Sequence, residues 1–239
     1  MKISPREADR FAAKPDPKVA AVLVYGPDTG LVRERIKTMM KTVVDDLADP
    51  FRIAELSDSD LKSDPARLSD EAASIAMLGG RRVVRVRGAA DGLSKTFESF
   101  LGSPAGDALV LVEAGDLGPR SSLRSLFEGA ANAAAIACYA DNTEALEGVI
   151  RQRLAANGLA PEPAALEYLL ENLGSDRGVT QSELEKLVLY MGPGEDGGKR
   201  TVTLDDARAS VGDNAGSSLD EVIDAALTGD LDGLDTAMA

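Results

Sequence analysis

A glycine-containing loop is the first segment whose residue types and position could do chemistry. It reads Gly26-Pro27-Asp28-Thr29-Gly30 and follows a continuous apolar run. Phosphate-binding loops lie in this position, between a buried strand and a helix. They place four residues between their glycines, then a Lys that neutralises the phosphates, then a Ser or Thr whose hydroxyl holds magnesium.

This loop departs from that pattern at the positions that carry the chemistry. Only three residues separate Gly26 from Gly30. Val32 stands where the lysine is needed, and the carboxylate of Asp28 would repel a phosphate. The sequence therefore favours a structural turn without nucleotide or other cofactor.

The other candidates for catalysis are isolated residues. A phosphate-binding ATPase needs an Asp followed by a Glu at the end of a neighbouring strand, but here a lone Glu113 stands at that edge. We interpret Glu113 as a solvated strand end and Cys138, in an apolar run, as an inert buried thiol. The other charged residues near the carboxyl ends of the strands that could take part in catalysis are Lys37, Lys41 and Asp116, and none of them belongs to a recognisable motif.

Composition narrows the classes of function further. The 239 residues carry a formal net charge of −14, and they include no histidine and no tryptophan. Histidine is the commonest general base and metal ligand, and a protein that grips DNA alone usually has a basic face. We therefore predict no metal site and no independent DNA binding. The chain has one cysteine, no apolar run of the roughly 20 residues that cross a bilayer and no apolar signal segment. These features favour a cytoplasmic protein without membrane contact.

The first part of the chain alternates strand and helix patterns. Continuous apolar runs, which are typical of strands buried on both faces, occur at 20–25, 51–56, 82–86, 108–112 and 135–139. A helix is expected to start at Ser4-Pro5, and one face of a long second helix is formed by Val32, Ile36, Met39, Val43 and Leu47. The pattern predicts an α/β domain over 1–140 with a parallel sheet and helices on both faces.

Helical stripes dominate the second part. They comprise Leu146, Val149, Ile150 and Leu154; Leu166, Leu169, Leu170 and Leu173; and Leu184, Leu187, Val188 and Met191. We expect the third helix to open with the capping pair Thr180 and Glu183, and the only strand signal is at 201–203. A small helical domain is predicted over 141–210, and 211–239 is the expected start of a further helical domain that is cut off.

The segment 64–87 indicates a binding surface and not a catalytic site. Leu68, Ala72 and Ile75 form one core-facing helical stripe, whereas Met77 lies about 180° from Leu68 if the helix continues to Gly79-Gly80. Met77 and Leu78 would then be an exposed apolar pair at a helix end, as in helix-in-groove anchors. The alternative is a helix that stops near Ile75, with both side chains under the sheet. The nearby Arg81, Arg82, Arg85 and Arg87 are interpreted as a solvated strand face.

The motifs in this order resemble the delta subunit of the bacterial DNA polymerase III clamp loader. The resemblance covers nearly the whole chain and rests on 24–28, 31–34, 76–84, 109–117, 122–124, 173–178 and 182–187. It implies an AAA+-type, P-loop NTPase-like domain without ATPase activity over 1–140, a helical lid over 141–210 and the start of a C-terminal collar over 211–239. Family members insert two apolar residues into a pocket of the ring-shaped sliding clamp, and these positions match Met77 and Leu78.

The resemblance also implies the partners. They are the sliding clamp, the other clamp-loader subunits in a hetero-oligomer, and primed DNA through the assembled complex. Two alternatives stay open. One is a nucleotide-binding P-loop-type enzyme that uses the crevice at the strand ends. The other is a purely structural assembly subunit in which Met77 and Leu78 belong to the core.

Overall fold

A computed structural model of the protein describes residues 1–76, 79–139, 143–192, 200–211 and 228. The chain divides into two compact units, Met1–Tyr139 and Ala140–Ala239. Apart from Val211 and Thr228, the expected collar segment 211–239 lies outside the described residues.

The first unit is built on a parallel sheet. Its strands are β1 (Lys2–Ile3), β2 (Ala21–Tyr25), β3 (Ile53–Ser57), β4 (Val83–Ala89), β5 (Leu109–Ala114) and β6 (Ala133–Ala137). They lie in the order β1-β6-β2-β5-β4-β3, and each neighbouring pair is parallel. The predicted strands are confirmed, with shifts of up to three residues at their ends. The edge strand β1 was missed because two residues are too few to show a pattern.

Helices cover both faces of this sheet. They are α1 (Pro5–Ala13), α2 (Thr29–Lys41), α3 (Asp58–Ser63), α4 (Arg67–Ala73), α5 (Ser94–Gly102) and α6 (Ser122–Gly129). The helices α1 and α2 pack with Val22 and Val24 on one face, whereas α3 to α6 pack with Leu23 and Tyr25 on the other. Alternate residues of β2 thus enter two separate cores, and this explains why the strand is apolar throughout.

The second helix is shorter than the sequence predicts. It ends at Lys41, where the Thr42 hydroxyl donates to the Met39 carbonyl at 2.7 Å and the chain turns. Val43 therefore lies beyond the helix and is only half-buried, and Val44, at 1% exposure, enters the core instead.

The second unit is mainly helical. It contains α7 (Thr143–Ala155), β7 (Leu159–Pro161), α8 (Pro163–Asn172), α9 (Arg177–Met191), β8 (Arg200–Val202) and α10 (Leu204–Ser210). The predicted stripes supply its core except at Val149, which is only half-buried. The strands β7 and β8 add one parallel pair. The capping prediction was wrong, because α9 starts one turn earlier. The Asp176 carboxylate accepts from the Gly178 N–H at 2.7 Å, and Thr180 is buried inside the helix, where it accepts from the Gly174 N–H.

Candidate functional site

The end of α4 differs from the sequence-based prediction. Leu68 and Ala72 are buried as expected, but Ile75 is 90% exposed. The helix stops at Ala73 because Ser74 adopts an extended backbone, with ψ at 134°, and its hydroxyl donates to the Asp70 carbonyl at 2.8 Å. The predicted stripe is therefore wrong at Ile75. The glycine pair at 79–80 does not end the helix either, since it lies six residues beyond Ala73.

We call residues 74–80, which join α4 to β4, the tip segment. Met77 and Leu78, the predicted partner-binding pair, lie outside the described residues, but the residues on both sides of them are described. A tight contact fixes the start of the segment. A Cβ atom added to Gly106 would lie 2.1 Å from the carbonyl oxygen of Ala72, so the turn before β5 packs directly against the last turn of α4.

The base of the tip segment, where it adjoins α4 and β4, is held by Arg82. The Arg82 guanidinium donates to the Phe51 carbonyl at 3.1 Å, to the Glu71 carbonyl at 3.0 Å and to the Glu71 carboxylate at 3.1 Å. Its side chain is only 10% exposed. The interpretation of Arg82 as a solvated residue was wrong, because it bridges the α4 end and the residues before β3.

A second arginine, Arg52, binds the backbone directly after the tip segment. The Arg52 guanidinium donates to the Arg81 carbonyl at 3.0 Å and to the Val43 carbonyl at 2.6 Å. Arg81 in turn donates from Nε to the Asp107 carbonyl at 2.5 Å. The residues that flank the tip segment on both sides are thus fastened to the amino edge of the sheet.

The glycine loop at the opposite edge is fixed by close packing. Gly26 has φ at 149°, and a Cβ there would lie 1.9 Å from the carbonyl oxygen of Cys138. The Gly26 N–H donates to the Gly115 carbonyl at 3.0 Å. Gly26 is therefore required for the approach of this loop to the ends of β5 and β6.

The side chains of this loop do not fit a nucleoside triphosphate with magnesium. Asp28 is 2% exposed, and its carboxylate accepts from the Leu31 N–H at 2.8 Å as the N-cap of α2. A helix N-terminus attracts phosphate because of its unpaired N–H groups and its dipole, but here a carboxylate holds that position. Val32 is buried at 2% exposure, so no cation stands where the lysine would be.

Glu113 is engaged in an ion pair, so its interpretation as a solvated strand end was wrong. Its carboxylate accepts from the Arg85 guanidinium at 2.5 and 3.2 Å, and its side chain is 16% exposed. Arg85 also pairs with Glu55 at 3.2 Å, so neighbouring strands β3, β4 and β5 share one charge network. Lys37, Lys41 and Asp116 are exposed, and among the described residues none of the three has an ion-pair partner.

The buried thiol is protected chemically as well as sterically. Cys138 is fully buried, as predicted, but it lies directly after β6 and not within the strand. Burial raises the pKa of the Cys138 thiol to about 11, although the Arg35 guanidinium, which donates to its sulfur at 3.3 Å, opposes that shift. Arg35 is itself buried and pairs with Asp9 at 3.0 Å. The thiol is therefore protonated at neutral pH.

Sequence comparison connects this geometry with known proteins. The chain is 27% identical over 173 residues to a probable DNA polymerase III subunit delta from Rickettsia prowazekii. The match covers 72% of this chain and 51% of the relative, so the chain spans about half the length of the curated relative. The predicted similarity to the delta subunit is confirmed. No protein-family model matches the chain.

Solved structures give the fold. The Bacillus subtilis DNA clamp loader delta protein matches with a TM-score of 0.59 and 19% identity, covering 98% of this chain and 71% of that one. A Thermotoga maritima RuvB structure matches with a TM-score of 0.58 and 16% identity, over 92% of this chain and 74% of that one. Domain III of the T. maritima replication initiation protein DnaA matches with a TM-score of 0.51 and 13% identity, over 87% and 94%. The predicted α/β fold, with a parallel sheet followed by a helical part, is confirmed, and the chain shares it with these clamp-loader, RuvB and DnaA structures.

Two findings within the described residues concern membrane spans and metal sites. None of the helices there is long and apolar enough to cross a membrane. No group of three or more His, Cys, Asp or Glu side chains in that part of the chain is arranged to hold a metal ion.

Proposed function

We propose that this chain is a delta-type clamp-loader subunit of DNA polymerase III, which binds the sliding clamp and holds the ring open for loading on primed DNA. The observation that carries the proposal is the 173-residue similarity to a probable delta subunit. The AAA+-type fold of the first unit supports it.

The proposed contact is the tip segment, with Met77 and Leu78 as the anchoring side chains. Two apolar side chains moved from water into a pocket contribute about 1.5–3 kcal/mol each, and a few such residues commonly dominate an interface. The hydrogen bonds of Arg52 and Arg82 restrain both ends of the segment. Less conformational freedom is then lost on binding, so more of the burial energy remains as affinity.

Opening the ring requires differential binding and no catalytic residue on this chain. A surface that binds the open clamp more tightly than the closed clamp shifts the ring toward the open form. The engagement of Asp28 and Glu113 in intramolecular contacts supports a subunit that does not hydrolyse ATP. We assign ATP hydrolysis to neighbouring subunits of a hetero-oligomer, and DNA contact to the assembled complex, in keeping with the net charge of −14.

The domain assignment belongs to the same proposal. Residues 1–140 form the ATPase-like domain that carries the tip segment, 141–210 form the lid, and 211–239 begin the collar that joins the other subunits.

The test is a titration of purified DNA polymerase III sliding clamp with the full chain. Met77→Ala combined with Leu78→Ala is expected to weaken binding by at least about tenfold, because two anchors are truncated. Circular dichroism and the thermal midpoint should match those of the unmodified protein. Unchanged affinity would reject the assignment and favour the structural subunit. A loss of fold in the double variant would instead place both residues in the core.

A further inference from the structure

The charges of the chain are distributed unevenly. Residues 1–41, from Met1 to the end of α2, contain nine Lys or Arg and five Asp or Glu, a net charge of +4 in a chain whose net charge is −14. Strong charge asymmetry between parts of one chain is typical of proteins that bind nucleic acid or membranes. The net charge, on which the prediction of no independent DNA binding rests, averages over this basic region.

The cations of the two helices in this region form a row on the outer side of each helix. They are spaced by four residues, so each row lies along one side of its helix at steps of about 6 Å. The rows consist of Arg6 and Arg10 on α1 and of Arg33, Lys37 and Lys41 on α2. All five residues are exposed, and the opposite sides of both helices pack against the sheet. We call these five residues the basic face.

An ion pair places the two rows side by side. The Arg35 guanidinium of α2 donates to the Asp9 carboxylate of α1 at 3.0 and 3.1 Å. Arg10 directly follows Asp9, and Lys37 is two residues beyond Arg35, so both rows continue past this contact on the same layer of the domain. Because the axes of packed helices lie about 8–10 Å apart, the basic face is one surface and not a set of isolated charges.

Most of the positive charge of the basic face is not neutralised within the domain. In the described part of the chain, Arg10 pairs with Glu7 at 3.3 Å, but none of the other four cations forms an ion pair. Among the other carboxylates of the two helices, Asp9 is bound to the buried Arg35, and Glu34 is half-buried. The outer layer of α1 and α2 thus presents an excess of positive charge to the solvent.

We propose that the basic face binds the phosphate backbone of duplex DNA. The inference rests on the proposed function, which brings primed DNA to the assembled complex, and adds that this chain itself contacts the duplex. Rows of exposed cations on one face are the footprint of sequence-independent binding to the backbone. A single strand would be held by aromatic side chains on which its bases stack, but Phe11, the one aromatic residue of α1 and α2, packs against the core.

A membrane surface fits the basic face less well than DNA does. Helices that bind membranes place bulky apolar side chains beside their cations, whereas the bulky apolar residues of α1 and α2 pack against the core. The rest of the chain is acidic and repels phosphate, so the contact is weak in the isolated chain and depends strongly on salt. In the assembled complex it restrains the duplex relative to this domain.

The test is the affinity of the full chain for a short fluorescein-labelled DNA duplex, measured by anisotropy over a series of salt concentrations. A triple variant with Arg6→Gln, Lys37→Gln and Lys41→Gln should bind about tenfold more weakly or worse, because it loses phosphate contacts. The slope of log affinity against log salt should become shallower by up to about three, since each lost phosphate contact reduces it by about one.

The matched control is a triple variant in the second unit, with Arg151→Gln, Arg153→Gln and Lys186→Gln. It removes the same charge from exposed cations, but each of these pairs with a glutamate. At about 0.1 M salt its affinity should stay within about threefold of the unmodified protein, because distant exposed charges are screened. Both variants should keep the thermal midpoint, because all six cations are exposed.

Three results would overturn the inference. Equal loss of affinity in the two triple variants would mean that the DNA responds to net charge and not to the basic face. No binding of the duplex at low salt would remove the contact altogether. Tighter binding to the single strand of the same sequence, or binding to phosphatidylglycerol vesicles and not to DNA, would identify another occupant.

The clamp titration separates this inference from the proposed function. The basic-face variant should bind the clamp with unchanged affinity, since α1 and α2 cover the face of the sheet opposite to α4. A chain that binds the clamp through Met77 and Leu78 but does not bind the duplex overturns only this inference. Unchanged clamp binding by the Met77–Leu78 double variant overturns the proposed function, whatever the result with DNA.

Discussion

Replacement of Arg82 by lysine should weaken the hydrogen bonds at the base of the tip segment while keeping a positive charge at position 82. The guanidinium makes three hydrogen bonds, to two carbonyls and one carboxylate, from a side chain that is 10% exposed. Lysine cannot reproduce this planar fork. A buried acceptor left unpaired costs about 1–3 kcal/mol. With one carbonyl lost to the variant, we expect a destabilisation of about 2 kcal/mol.

The assay is thermal unfolding of the full chain, followed by far-ultraviolet circular dichroism. A loss of about 2 kcal/mol in a protein of this size lowers the midpoint by about 4–8 °C. Arg87→Lys is the matched control on the same strand. Arg87 is 54% exposed and its pair with Glu55 is 3.5 Å long, so its replacement should cost less than about 0.5 kcal/mol.

Clamp affinity supplies the readout that separates positioning from bulk stability. Below the unfolding transition, Arg82→Lys should weaken clamp binding by about two- to tenfold, because the end of α4, which leads into the tip segment, loses hydrogen bonds that restrain it. Arg87→Lys should bind as the unmodified protein does. Equal midpoints and equal affinities for the two variants would refute the reasoning that Arg82 holds the tip segment.

Two further predictions concern the opposite edge of the sheet and its buried thiol. Calorimetry with ATP and magnesium should show no binding, because the carboxylate of Asp28 caps α2 and Val32 stands where the lysine is needed; micromolar binding would support the enzyme alternative. Burial raises the pKa of Cys138 to about 11, so only about one thiol in a thousand is ionised at pH 8. Ellman's reagent should therefore react with the folded protein at least about 100-fold more slowly than with the protein in denaturant. Comparable rates in the two conditions would contradict this prediction. The folded state holds this proton more tightly than the unfolded chain, so the stability from the thiol is complete below about pH 8.5 and falls as the pH rises toward 11.

The sheet was predictable because its information is local. A strand buried on both faces must be apolar at successive positions, and β2 and β5 show this directly in the sequence. The degenerate loop was predictable for a similar reason. Phosphate chemistry requires particular residues at fixed spacing, and Val32 at the lysine position is visible without a structure.

The features that shape the tip segment depend on distant partners. Arg82 lies 31 residues from Phe51 and 11 from Glu71, so nothing in its own neighbourhood distinguishes it from a solvated arginine. Glu113 likewise pairs with Arg85, which lies 28 residues away in the sequence. The pattern of α4 continues to Ile75 in the sequence, but the helix stops at Ala73 where the turn at Gly106 packs against it. Local periodicity cannot report such contacts.

The glycine loop and the surface that we propose for the clamp lie at opposite edges of the sheet. Gly26 directly follows β2 and so lies at the carboxyl edge of the parallel sheet, where ligands of open α/β folds bind. The tip segment directly precedes Arg81, Arg82 and β4, so its base lies at the amino edge. At the carboxyl edge the protein's own groups, Asp28 and the Arg85–Glu113 pair, hold the positions that phosphate chemistry would need. The hydrogen bonds that the Arg52 and Arg82 side chains donate involve none of those groups. Changes in the loop can therefore accumulate without disturbing the surface that we propose for the clamp.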